Sequence, residues 1–144
     1  MNNSPNFLES CEMLGLNPDE LMLSPTLSDN TPDSVRKRIK QLNAATKLSI
    51  CMMAWNKIDG FEPDEMAGYY QDKVGYTPLF RYEKGRLLPY GDANHSSVSG
   101  LVAPTEYGED SYSYAYFGLR LPLKTSDRAI VFSETFIDMF NGLI

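Results

Sequence analysis

Residues 48–55 read LSICMMAW, apolar on nearly every side of a helix. They lie in a run uninterrupted by glycine or proline between Pro32 and Gly60, the nearest strong breakers. The first half of that run carries only a narrow apolar stripe, Val35, Ile39 and Leu42. A helix apolar all round belongs inside a protein. The pattern therefore predicts one long helix, opened by Thr31-Pro32 and reaching about Lys57. It would enter from the surface and end as the centre of the core, with Trp55 near its exit. The rest of the chain has to wrap around it.

A chain of 144 residues is one domain's worth. At that size it can bury about 70% of its unfolded surface, so it needs no disulfide staples. Cys11 and Cys51 stand without a motif, each in a helical stretch, and are expected as buried free thiols. No segment approaches the roughly 18 consecutive apolar residues of a membrane span. MNNSPNFLES lacks the basic start and apolar run of a signal peptide. The expectation is a soluble, cytoplasmic protein with no membrane partner.

The formal net charge of −6 is unevenly spread. Glu9, Glu12, Asp19, Glu20, Asp29 and Asp33 all fall within residues 1–34, which hold no Lys or Arg. The only dense basic run is Arg36, Lys37, Arg38 and Lys40, at the start of the long helix, where a solvated face is the simplest account. Duplex nucleic acid needs a basic stripe, so it is not expected as a partner.

The remaining elements follow from caps, breakers and periodicity. Ser4-Pro5 predicts a first helix through Phe7, Leu8, Cys11 and Leu14, ending near Gly15. Asn17-Pro18-Asp19-Glu20 predicts a second helical turn, and Ser24–Asn30 a loop. Residues 1–30 thus form an acidic helical arm. A short helix is expected over Glu65–Gln71. Thr77–Glu83 and Arg86–Tyr90 predict two strands joined at Lys84-Gly85, with Pro78 and Pro89 at strand ends or on an edge. Residues 91–110 read as a long polar loop. Thr125 or Ser126 caps a terminal helix from Asp127 to about Asn141. Its apolar arc is Ala129, Ile130, Phe132, Phe136, Ile137, Met139 and Phe140, with Val131 the one misfit. The order predicts an α+β fold in a single domain, 1–144. N-terminal helices, one of them long and buried, precede a small antiparallel sheet on which the terminal amphipathic helix packs.

Catalytic signals are weak. His95 is the only histidine, and its neighbours Ser96, Ser97 and Ser99 share its loop, a poor start for a triad. The two cysteines and one histidine lack zinc spacing, and no phosphate-loop or dinucleotide fingerprint occurs. No enzyme, catalytic residue, metal or cofactor is expected.

A binding constellation is clearer. In SYSYAYFGLRL, residues 111–121, a period of two puts Tyr112, Tyr114, Tyr116 and Arg120 on one face. Tyrosine rings can stack on planar groups such as nucleobases, and arginine can pair with phosphate bidentately. Arg81 and Arg86 flank the 84–85 turn and could lie on a neighbouring strand. His95 and Ser97, in the Ser/Gly-rich loop, could add donors to an anion. These residues suit a small nucleotide-like ligand. The same tyrosine face also suits plain sheet packing, or an interface with a protein partner or a second copy in a homo-oligomer.

Four stretches carry a resemblance: FLESCEMLGLNPDEL, AATKLSICMMAWNKIDGFEPDE, YTPLFRYEKG and YFGLRLPLKTSDRAIVFSETFIDMF. Together the chain resembles an uncharacterised family of small proteins encoded by Bacteroides phages and prophages. That family has an aromatic-rich strand ending in Leu-x-Phe-Lys-[Ser/Thr], then a terminal amphipathic helix. Here the strand end is Leu121-Pro122-Leu123-Lys124-Thr125, with Leu in place of Phe. Residues Trp55 to Phe61 match the family's Asn-x-Gly-Trp exit more loosely. No activity or site residue comes with the resemblance. It implies a viral gene product acting inside an infected host cell, either sequestering a nucleotide-derived defence signal or serving as a virion or assembly component.

Overall fold

A computed structural model describes residues 2–63, 75–95, 103–104 and 121–144. The expected short helix over Glu65–Gln71 lies outside them, as does the tyrosine stretch up to Arg120.

The first helix, α1, spans Phe7–Leu14. It starts two residues later than Ser4-Pro5 suggested, because Asn6 is the better cap. Its side chain accepts from the Glu9 N–H at 2.9 Å, and the Glu9 carboxylate accepts from the Asn6 N–H at 3.1 Å. Pro5 is instead buried, and its carbonyl accepts from Trp55 Nε1 at 3.0 Å. The short helix α2, Pro18–Leu21, has the expected Asn17 cap and Pro at its first turn.

The long helix α3 runs from Asp33 to Asp59, 27 residues or about 40 Å. Gly60, at φ 65°, ends it in the left-handed conformation, and Phe61 N–H returns to Asn56 O at 2.9 Å. Leu48, Cys51, Ala54 and Trp55 are fully buried, so the second half enters the core as its composition predicts. The apolar circumference is not wholly covered, however. Met53 is 51% exposed, because α1 and α5 pack on other sides of α3.

The sheet begins as a hairpin of β1, Tyr76–Glu83, and β2, Arg86–His95. Lys84 (φ 51°) and Gly85 (φ 78°) connect them, the pair of positive φ values that a two-residue type I′ turn demands. The pairing is antiparallel, with a bulge between Pro78 and Phe80 that absorbs the proline's missing donor. Strand β2 continues five residues past Tyr90, so the segment expected as a loop from Gly91 begins as strand. A two-residue strand, β3 (Ala103–Pro104), runs parallel to β1 on its other side, giving the order β2-β1-β3. Tyr76 also exchanges both main-chain bonds with Leu123, at 2.7 and 2.9 Å.

The terminal helix is broken into α4, Ser126–Thr135, and α5, Ile137–Asn141. Thr125 caps α4 with its hydroxyl. The break at Phe136 (φ −112°, ψ 25°) lets α4 lie on β1 and β2 while α5 turns to meet α3. The core forms where these layers meet. Trp55 meets Phe132 edge-on at 5.0 Å, and Phe80 meets Phe140 at 4.5 Å. Val131 is left 40% exposed, as its place on the wheel requires. The fold is α+β, with the terminal helices packed against a small sheet. Cys11 and Cys51 are buried free thiols.

Candidate functional site

The hairpin is where the described residues bear on the binding constellation. Phe80, Tyr82 and Leu87 belong to its inner face, against the helices. Cross-strand pairing sets Arg81 opposite Leu88 and Glu83 opposite Arg86, and directly opposed residues share a face. Arg81 and Arg86 therefore stand together on the outer face, both exposed. Glu83 lies between them and pairs with Arg81, Nε to Oε1 at 3.2 Å. Both partners are nearly half exposed, so this ion pair is weak.

His95 closes β2 opposite Tyr76, at the far end of the strand from Arg86 and roughly 30 Å away along it. It belongs to a strand, not to the loop expected for it, and is not gathered with the two arginines. Ser97, Tyr112, Tyr114, Tyr116 and Arg120 lie outside the described residues. Leu121 is buried, and Leu123 docks on Tyr76, so the segment's exit abuts the start of β1.

Two other features were not legible in the sequence. Arg128 stacks 4.3 Å over the Trp55 ring and donates to Asp59 Oδ2 at 2.8 Å and Asn3 O at 2.6 Å. It pins the N-terminus, the end of α3 and the start of α4 together. The second is a groove of about 460 Å³ at the end of α3, lined by Met52, Met53, Asn56, Lys57, Phe61 and Pro63 among others. Asn56 is nearly fully buried. Its Nδ2 donates to Pro122 O at 2.8 Å and to Met52 Sδ at 3.0 Å, while its Oδ1 has no partner. Sequence reading saw only turn residues and core there. An asparagine inside an apolar helical run is the one signal that could have marked it.

Among the described residues no three His, Cys, Asp or Glu side chains converge as a metal site requires, and no helix is long and apolar enough to cross a membrane. Comparison with protein-family models, with curated proteins and with solved structures found no match.

Proposed function

We propose that this chain is a non-enzymatic, phage-encoded binding protein that acts in the cytoplasm of the infected host cell and sequesters a small nucleotide-derived defence signal. The observation that carries the reading is the juxtaposition of Arg81 and Arg86 on the exposed face of one hairpin. Two guanidinium forks on one face, diagonal across the ladder, suit the two phosphates of a diphosphate or a cyclic phosphodiester. Glu83 holds Arg81 only through an exposed pair, which a phosphate can displace at little cost. The tyrosines at 112, 114 and 116, with Arg120, enter from the sequence as ring-stacking partners.

A thermal-shift screen against cyclic dinucleotides and ADP-ribose derivatives tests this. A ligand at a hundred times its Kd should stabilise the fold by about 2.7 kcal/mol. Replacing Arg81 and Arg86 together with Ala should abolish that shift and leave the ligand-free melting midpoint nearly unchanged. Flat curves across the library would sink the reading.

A second reading, a structural or interaction protein, draws on a different surface. Val35, Leu42 and Met53 are each at least 43% exposed on α3. Val35 and Met53 are about five helical turns apart and share one angle of the helix. The intervening Thr46 and Ser49 turn their hydroxyls back to Leu42 O and Ala45 O, at 3.0 and 2.9 Å, and ask nothing of a partner. An apolar stripe of this kind suits a second helix, such as α3 of another copy.

A further inference from the structure

Asn56 is fixed in orientation by what surrounds it. The Pro122 carbonyl can only accept, so the amide must turn Nδ2 toward it. Oδ1 is then left as the one buried side-chain nitrogen or oxygen without a partner among the described residues. Native proteins seldom leave such an acceptor unpaired. This one belongs to a residue that walls an open groove, but Oδ1 itself is sealed from solvent; of the groove's lining, Met52 touches the amide, its Sδ 3.0 Å from Nδ2. Met52 has three rotatable bonds and a soft thioether, so it can swing aside without disturbing the helix.

The remaining walls define what could enter. Met53 and Phe61 offer apolar, polarizable surface suited to a flat ring. Lys57, exposed beside them, can meet an attached phosphate. The space is within the range of small-molecule sites.

We propose that this groove binds a flat heteroaromatic ring bearing an amino group, of the adenine or cytosine type, whose amine donates to Asn56 Oδ1 while the ring packs against Met53 and Phe61. One Nδ2 hydrogen stays on Pro122, and the other, released when Met52 moves, can donate to the ring nitrogen beside the amine. Both aminated bases therefore fit, and a ring lacking the amine does not. The site shares a ligand class with the function proposed above but none of its residues.

The test is an NMR titration of methyl- and amide-labelled protein with adenosine, cytidine and purine riboside, which lacks the exocyclic amine. Adenosine and cytidine should shift the Met52 and Met53 methyls and the Asn56 side-chain amide, and purine riboside should bind about tenfold more weakly. Met53→Ala should weaken adenosine similarly with an unchanged melting midpoint. The variant lacking both Arg81 and Arg86 should bind adenosine as the parent does. Equal affinity for purine riboside, unmoved Met52 and Met53 signals, or loss of adenosine binding in the arginine variant would overturn the proposal. A nucleotide thermal shift that survives loss of both arginines would sink the hairpin reading and leave this proposal standing.

Discussion

Asn43 and Asn141 each grip a distant main-chain residue with both ends of one amide. Asn43 holds Leu23 N–H and O at 2.8 and 2.9 Å, and Asn141 holds Leu87 N–H and O at 2.7 and 3.0 Å. An asparagine amide presents a donor and an acceptor side by side, as a neighbouring strand would. Asn43 thus fastens the acidic arm to α3, and Asn141 covers part of the β2 edge. The two thiols show a different single-residue effect. Burial raises the thiol pKa of Cys11 and pushes Cys51 up to about 12. In the unfolded chain a thiol ionises near 9.0, so above that pH the unfolded state holds fewer protons than the folded one. The thiols' contribution to stability is then complete below pH 9 and lost as the pH climbs toward 12. Denaturant midpoints should fall over that window, and Cys11→Ala/Cys51→Ala should flatten the slope. An unchanged slope would show that these thiols do not drive it.

Elements are joined at points where little space remains. Gly75, at φ 78°, enters β1 between two other segments. A Cβ there would stand 2.8 Å from Pro122 Cβ and 2.9 Å from Leu123 O. A side chain would meet both left-handed strain and overpacking, at a cost of roughly 2–4 kcal/mol. Gly75→Ala should therefore lower the melting temperature by roughly 5–15 °C in a circular-dichroism melt, and a parental melting curve would refute this account of the junction. The elements themselves were partly legible. Pro32 and Gly60 bound α3 because backbone chemistry acts locally, and Lys84-Gly85 marked the turn for the same reason. The break at Phe136 was hidden, since every neighbouring residue is compatible with helix and only the need to reach both sheet and α3 divides α4 from α5. Strand β2 ran on through residues 91–95, where Ala93 packs against the core, because pairing with β1 extends a strand that hydrophobic alternation does not mark.

For the whole molecule, charge and exposed apolar surface bear on assembly. If the α3 stripe joins two copies, light scattering at micromolar concentration should report a dimer, and Leu42→Glu should return it to monomer without unfolding it. Leu42 is 46% exposed, so the substitution leaves the core untouched. A monomer in the parent protein would remove the self-association reading while leaving the nucleotide proposal intact.

Local chemistry, readable residue by residue, determined the helix caps at Asn17 and Thr125, the left-handed stop at Gly60, the turn at Lys84-Gly85 and the apolar arc of the terminal helix. Contacts between residues far apart in the chain decided the rest: Arg128 closing over Trp55 and Asp59, Arg81 and Arg86 sharing a face across a turn, and Asn56 spending its donor on Pro122. A hydrogen bond or a stacked ring depends on where its partner stands in space, and a linear pattern of residue types carries no such distance.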